Sequence, residues 1–144
     1  MNQAILTFVK PDFSTSVNRP LFLSKVPAGF PSPADDYLEG ALDLNEYLIK
    51  HKAATFFVRV TGDSMIGAGI HDGDLLVVDR ALEVRDKSVV VAVVNGEFTV
   101  KRIKKEQGRV WLLPENNNYP PLEMQEGAEL EVWGVVTNVI HKVE

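Results

Sequence analysis

Short runs of aromatic and β-branched residues dominate the sequence from Thr55 onward and predict a series of β-strands. Such side chains suit the half-buried surface of a sheet, and aspartate or glycine residues close several of the runs. The predicted strands are TFFVRV from residue 55, DLLVVD from 74, SVVVAVVNGEFTVKRI from 88, RVWLLP from 109 and ELEVWGVVTNVIHKV from 129. The chain is therefore predicted to be mostly β.

The dipeptide Asn95-Gly96 divides one of these runs and predicts a tight hairpin. A type I′ turn needs positive φ at both central residues, and asparagine and glycine adopt it readily. In the register of a two-residue turn, Lys101 lies opposite Val90 and diagonal to Ala92. We therefore expect Lys101 to lie on a strand among apolar neighbours.

The segment that ends at Pro33 follows a different pattern. It shows neither a sustained helical period nor a sustained alternation of apolar and polar positions, which is typical of an extended arm. The arm contains Pro11, Pro20, Pro27, Pro31 and Pro33. The fold class predicted is thus a β-rich domain with short helical turns and an extended amino-terminal arm.

Two short helices are predicted after the arm. In SPADDYLEG, Ser32 is placed as an N-cap, Pro33 at the first helical position and Gly40 as the stop. In DLNEYLIKH, Asp43 is placed as the cap and Glu46 stands three residues later, as in a capping box.

The composition is that of one globular domain. The chain has 144 residues, of which 45% are hydrophobic and 24% charged. No apolar run approaches the ~18 residues that span a bilayer, and the first residues lack the pattern of a secretory signal. Because the sequence has no cysteine, disulfides and thiolate metal sites are excluded. We expect a cytoplasmic protein that does not associate with a membrane.

The net charge of −5 argues against broad binding to a phosphate backbone, which needs a basic face. The charge is unevenly distributed, since residues 1–28 carry a net +2 and leave −7 for the rest. We therefore expect no direct binding to nucleic acid.

Ser64 is a candidate nucleophile because it lies in a glycine-rich turn, TGDSMIGAGIHDGD, between two predicted strands. A serine nucleophile needs a proton acceptor. His71 is seven residues away, but no carboxylate that would orient it is identifiable. Lys101 is the alternative, since burial would favour its neutral amine. The residues alone leave open that Ser64 is an ordinary turn hydroxyl and Lys101 a solvated strand lysine.

Metal and cofactor sites are not predicted. The histidines lie far apart along the chain without ligand-like spacing; they are His51, His71 and His141. Three aspartates lack the spacing of an EF-hand loop and are expected to cap turns and strand ends; they are Asp72, Asp74 and Asp79.

The stretch KVPAGF in the arm resembles a cleavage site. Val26 and Ala28 form a small-x-small pattern before Gly29, the kind of segment that signal peptidases accept in shallow pockets. Pro27 keeps the residue before it extended, as a protease cleft requires. The sequence thus offers a nucleophile, a base and a substrate in one chain.

Three segments together resemble the LexA-like self-cleaving serine peptidases, and among them the UmuD-like proteins. The segments are FPSPADDYLEGALDLNEYLIKH, ATFFVRVTGDSMIGAGIHDGDLLVVD and NGEFTVKRI, and the resemblance covers roughly residues 20–140. Repressors of the LexA type carry an amino-terminal DNA-binding domain of several helices. The short segment before the predicted cleavage site lacks helix-turn-helix spacing, so the UmuD-like branch fits better.

The resemblance implies specific roles for residues of this sequence. Ser64 would be the nucleophile, Lys101 the general base and Ala28-Gly29 the scissile bond. The backbone N–H groups of Ser64 and Asp63 would form the oxyanion hole. Residues 1–28 would be an arm removed by self-cleavage, and residues 29–144 a twisted β-rich catalytic domain like that of LexA and signal peptidases.

The resemblance also implies partners. UmuD-like proteins are homodimers that cleave themselves on a RecA filament in the SOS response. The shortened dimer then joins a UmuC-like polymerase to form the translesion DNA polymerase V. The alternative hypothesis is a non-catalytic polymerase-binding or dimerisation module, or an SOS regulator, in which the Ser-Lys pair is vestigial.

Overall fold

The computed structural model describes residues 7–22, 28, 38–125 and 128–144 of the chain. These residues belong to two compact units. The larger unit comprises Met1–Pro11 and His51–Glu144, and the smaller comprises Asp12–Lys50. The prediction that the chain is mostly β is confirmed, because strands account for most of the regular structure in the described residues.

Ten strands and one α-helix are defined in the described residues, along with two 3-10 turns, Lys52–Ala54 and Ile66–Ala68. The helix α1 spans Leu44–Leu48. The strands are β1 (Thr7–Val9), β2 (Asn18–Phe22), β3 (Leu38–Asp43), β4 (Thr55–Arg59), β5 (Leu75–Asp79), β6 (Val89–Val94), β7 (Glu97–Glu106), β8 (Arg109–Leu113), β9 (Leu122–Glu123) and β10 (Leu130–Ile140).

Eight strands of the larger unit form one antiparallel sheet in the part of the chain that the structure describes. Their spatial order is β1-β4-β5-β10-β6-β7-β8-β9. Every run predicted from the sequence as a strand forms one, and the hairpin turns at Asn95 (φ 48°) and Gly96 (φ 83°) as expected. The long carboxy-terminal strand β10 lies between β5 and β6, so it joins the two halves of the sheet.

Alternate residues of β6 and β7 contribute to two separate hydrophobic clusters. Val91 pairs with Val100, and both belong to a cluster with residues of β4 and β5. Val90 and Ile103 belong to the other cluster, which includes residues of β8 and β10. Successive side chains on a strand point to opposite faces of the sheet. Lys101, opposite Val90, therefore lies on the second face, between apolar neighbours.

The first strand comes from the predicted arm. Strand β1 pairs with β4, with Phe8 opposite Val58. The Phe8 ring packs against Phe56, Phe98 and Trp133 at centroid distances of 5.6, 5.1 and 5.5 Å. This strand was not predicted from the sequence, because so short a segment shows no period.

The smaller unit contains the pair β2–β3 followed by α1. The predicted cap is confirmed, since the Asp43 side chain accepts a hydrogen bond from the Asn45 backbone at 3.0 Å. The helical turn predicted to stop at Gly40 is wrong for residues 38–40, which are strand, and its earlier part lies outside the described residues. Pairing of Gly40 with Leu21 overrides the local helix signal.

Candidate active site

Ser64 lies in a tight turn between β4 and β5, and the residue is only 8% exposed. The turn leads into the 3-10 turn Ile66–Ala68, where the Ile66 N–H donates to the Asp63 carbonyl at 3.2 Å. The Ala68 N–H donates to the Met65 carbonyl at 3.0 Å. These local bonds fix the backbone on both sides of the serine.

The loop between β8 and β9, called the Glu115 loop, holds the same turn through backbone contacts. The Glu115 N–H donates to the Ser64 carbonyl at 2.8 Å, and the Gly67 N–H donates to the Glu115 carbonyl at 2.7 Å. A Cβ atom at position 67 would lie 2.6 Å from that Glu115 oxygen, a distance too short for real contacts. Glycine is therefore required for this close approach.

Side chains of the same loop hold Asp63. The Asn116 side-chain amide donates to the Asp63 carbonyl at 2.9 Å, and the Tyr119 hydroxyl donates to the Asp63 carboxylate at 2.6 Å. The carboxylate keeps the phenol protonated, so the pKa of Tyr119 is raised. Neither residue was identified from the sequence, because both contacts join segments far apart along the chain and no local pattern marks them.

Lys101 lies on β7 with its amine against the hydroxyl of Ser64. The predicted register is confirmed, since Lys101 pairs with Val90. The Lys101 Nζ donates to Ser64 Oγ at 3.2 Å, to Thr99 Oγ1 at 2.9 Å and to the Val100 carbonyl at 3.0 Å. Burial lowers the pKa of Lys101, because the charged amine loses solvent. The structure thus places beside the serine an amine that loses its charge more readily than a free lysine does.

A cavity of about 260 Å³ opens in front of this pair. Thr99 and Tyr119 line it together with Ser64 and Lys101. The remaining wall is mostly apolar and includes Val94, Phe98, Leu112, Pro121 and Leu122. An apolar cleft with a few convergent polar groups is typical of a ligand or substrate site.

The other predicted site residues fall in different places. Ala28 is exposed and belongs to the smaller unit, whereas Ser64 and Lys101 belong to the larger. Gly29 lies outside the described residues. His71, the alternative base, contacts Asp74 and His141. The serine hydroxyl is contacted by Lys101 instead. The oxyanion role of the Ser64 and Asp63 amides remains a prediction.

The aspartates cap turns and strand ends, as expected. Asp72 accepts from the Gly62 N–H at 2.9 Å, and Asp79 accepts from the Ala81 N–H at 2.8 Å. Asp74 accepts from the His71 N–H at 2.7 Å.

Two of the histidines that lie far apart along the chain meet in space. The fold brings the His71 and His141 rings to a centroid distance of 4.8 Å. Local pattern carries no sign of this contact, since it forms between the end of β10 and the loop before β5.

A serine hydroxyl against a desolvated lysine, beside an apolar cleft, is the geometry that Ser-Lys hydrolases use. The chain matches the Peptidase S24-like family over residues 20–137. It belongs to that family.

Similar proteins extend over most of the chain. SamA of Salmonella typhimurium is 54% identical over 123 residues, which are 85% of each chain. MucA of Escherichia coli is 47% identical over 120 residues, 83% of this chain and 82% of MucA. ImpA of Shigella flexneri is 47% identical over 132 residues, 92% of this chain and 90% of ImpA. The resemblance to UmuD-like proteins is thereby confirmed.

The described residues include no helix that has both the length and the apolar character needed to cross a membrane.

Proposed function

We propose that this chain is a self-cleaving serine peptidase of the SOS response that hydrolyses its own Ala28-Gly29 bond. Ser64 is the nucleophile and Lys101 the general base. The observation that carries the proposal is the 3.2 Å contact between Lys101 Nζ and Ser64 Oγ. Burial of Lys101 lowers the pKa of its amine, which favours the neutral form that a base needs. Membership of the Peptidase S24-like family supports the same chemistry.

The first half of the reaction forms an acyl-enzyme. Neutral Lys101 removes the proton from Ser64, and Oγ bonds to the carbonyl carbon of Ala28. The tetrahedral intermediate collapses when the Lys101 ammonium protonates the nitrogen of Gly29, and the carbon–nitrogen bond breaks. Gly29 becomes a new amino terminus, and Ala28 is esterified to Ser64.

The second half restores the enzyme. Lys101, neutral again, removes a proton from a water molecule that attacks the ester carbon. Oγ leaves with the proton from the ammonium, and the new carboxylic acid of Ala28 releases its proton to solvent. The amides of Ser64 and Asp63 would stabilise the oxyanion in both halves, and the bonds to the Glu115 loop hold this turn in place beforehand.

The substrate segment suits the cavity. Val26 and Ala28 are small and apolar, and the wall beside Ser64 is mostly apolar. Residues 1–28 are then the arm that is removed, and residues 29–144 remain as the product.

The UmuD-like resemblance supports the wider role. We place the protein in the cytoplasm as a homodimer that a RecA filament stimulates to cleave itself. The shortened dimer then serves as the accessory subunit of a UmuC-like polymerase in translesion DNA polymerase V. The proposed hydrolysis uses no cofactor.

The test is to incubate the purified chain at alkaline pH and measure the masses of the products. We expect one cut, after Ala28. Ser64→Ala and Lys101→Ala should each lower the rate by a factor of about 10³ or more, and the double variant should be no slower than either. Lys104→Ala, an exposed lysine on the same strand, is the matched control and should cleave normally.

Two results would contradict the proposal. A different new amino terminus would exclude the Ala28-Gly29 bond. Normal cleavage by Lys101→Ala would exclude the lysine as base, and no cleavage by the intact chain under any condition would favour the non-catalytic module.

A further inference from the structure

Two histidines and one aspartate meet at the end of the sheet, outside the residues that line the Ser64 cavity. Ile140, the last residue of β10, pairs with Leu75, the first residue of β5. His141 follows β10 and Asp74 precedes β5, so the antiparallel pairing brings the two side by side. His71 reaches the same place from the loop before β5.

The geometry points to a site for a divalent transition metal, with zinc as its occupant, formed by His71, Asp74 and His141. The Nδ1 atom of His141 lies 2.6 Å from one carboxylate oxygen of Asp74. The Nδ1 atom of His71 lies 3.7 Å from the other. Tetrahedral zinc with bonds of 2.0–2.1 Å separates its ligand atoms by about 3.3 Å. One ligand atom from each of the three residues lies within 4.8 Å of the others, so side-chain shifts of about 1 Å would reach that spacing.

One ligand atom in this cluster lacks a hydrogen bond. The Nδ1 atom of His71 is buried and has no hydrogen-bond partner among the described residues. A buried polar atom of this kind is costly to leave unpaired. A metal bound between the rings would use it. A hydrogen bond between His141 and Asp74 alone would leave the Nδ1 atom of His71 without a partner. A metal site accounts for this atom as well, so the unpaired nitrogen favours the metal site.

The exposure of the three side chains suits a site with an open position. The Asp74 side chain is 2% exposed, whereas those of His71 and His141 are 44% and 49% exposed. The carboxylate would therefore bind the metal from the protein side, and the two rings would flank it. Water can complete the coordination from the solvent side, as in zinc sites with three protein ligands.

The kind of donor selects the class of metal. Calcium and magnesium prefer sites built only of oxygen ligands. Two imidazoles and one carboxylate suit zinc, and cobalt or nickel as its substitutes. The backbone around the ligands is already fixed, because Asp74 accepts from the His71 N–H at 2.7 Å and its own N–H donates to the His71 carbonyl at 3.0 Å.

A metal here would join the end of β10 to the loop that follows the Ser64 turn. That loop is bonded to the turn, since the Ile70 N–H donates to the Met65 carbonyl at 3.3 Å. We expect the bound metal to stabilise the fold and to take no part in the chemistry at Ser64.

The chain provides its own control. The third histidine, His51, contacts Asp79 with the same 2.6 Å distance from Nδ1 to a carboxylate oxygen. No second histidine or cysteine joins that pair in the described residues. The His141–Asp74 pair and the His51–Asp79 pair therefore share a histidine beside a buried aspartate. Among the described residues, only the first pair has a third ligand, His71.

The test uses the untagged full chain carrying Ser64→Ala, so that it stays intact, after treatment with a chelator. Zinc is titrated against a chromophoric chelator, and cobalt is followed by its visible absorption. We expect one zinc per chain, an intense tetrahedral cobalt band, and a melting temperature about 4–8 °C higher at saturating zinc.

Variants then assign the ligands. His71→Gln and His141→Gln should each weaken zinc binding at least about tenfold and remove the cobalt band, since loss of even an outer-shell partner of a ligand weakens metal binding that much. His51→Gln should bind like the parent chain. Equal affinity in all three variants, equal losses in all three, or no stoichiometric binding by the parent chain would overturn the assignment. His71 is half exposed, so its variant should fold and keep the test decisive.

Discussion

Lys101 donates to three acceptors, which is the full capacity of an ammonium group. A neutral amine has two N–H bonds and one lone pair. If Thr99 Oγ1 and the Val100 carbonyl keep the two N–H bonds, the lone pair is left facing the hydroxyl of Ser64. We therefore propose that Thr99, two residues before Lys101 on the same face of β7, positions the amine for its proposed role as base.

Replacing Thr99 by valine should test this role. We expect the rate of self-cleavage to fall about tenfold, because the amine is held less well. The pH at which the rate levels off should also move lower, because the ammonium has lost an acceptor. Thr99→Ser keeps the hydroxyl and should restore both properties. A valine variant with an unchanged rate and pH profile would show that Thr99 does not position the amine.

The pH dependence of cleavage follows from the lowered pKa of Lys101. In the proposed mechanism only the neutral amine can accept the proton of Ser64, so the rate should climb with pH. It should level off near the folded pKa, which lies below the 10.5 of an unperturbed lysine. The rate is measured by quantifying the product masses over time at a series of pH values. A flat profile from about pH 6 to 10 would exclude a titrating lysine as base.

The free energy of unfolding should also rise with pH because of Lys101. Between the lowered folded pKa and the unfolded pKa, the unfolded chain binds more protons at Lys101, so stability rises with pH across that window. Denaturant unfolding of the Ser64→Ala chain measures the slope without cleavage. The double variant Ser64→Ala, Lys101→Met should lose this rise, and an identical slope in both would contradict the burial of the amine.

At the scale of elements, the Ser64 turn depends on its contact with the loop at Glu115. Gly67→Ala would place a Cβ 2.6 Å from the Glu115 carbonyl oxygen, so the two segments must separate. We expect cleavage to fall at least about tenfold and stability to drop by about 1–3 kcal/mol, as overpacking does. Product masses and denaturant unfolding measure the two effects.

Gly69→Ala is the matched control within the same turn. Gly69 has φ of +78° and open space around it, so alanine adds backbone strain of about 1–2 kcal/mol but no clash. Its cleavage should remain close to that of the parent chain. If both variants lost activity equally, general destabilisation would explain the loss, and the close approach to Glu115 would carry no special role.

Local pattern was enough to predict every strand from Thr55 onward except the two-residue β9, together with the Asn95-Gly96 hairpin and hence the position of Lys101 opposite Val90. Each of these rests on residues close together in the sequence. The contacts of Asn116 and Tyr119 with Asp63 could not be predicted from the sequence, because no period or turn signal links segments so far apart along the chain. The pairing of β1 with β4 was missed for the same reason.

At the scale of the whole molecule, charge limits what the protein can bind directly. Residues 1–28 carry a net +2 and the remaining residues −7. An acidic body repels a phosphate backbone, and a short arm with so few basic residues releases few counterions. Stimulation by a nucleoprotein filament should therefore act through the filament's protein surface and not through its DNA.

A RecA filament on single-stranded DNA should raise the rate of self-cleavage near neutral pH, because the rate of the free chain should fall as the pH is lowered. The filament would hold the cleavage segment in the cavity, which removes further solvent from the amine and extends its neutral form to lower pH. The measurement is the product mass over time with filament, with single-stranded DNA alone and with neither.

Only the filament should accelerate cleavage, and single-stranded DNA alone should neither bind appreciably at physiological salt nor change the rate. Because the filament supplies position and no catalytic group, it should not rescue Lys101→Ala, whereas the Lys104→Ala control should respond fully. Acceleration by DNA alone, or rescue of Lys101→Ala by the filament, would mean that the partner acts on something other than the Ser64–Lys101 pair.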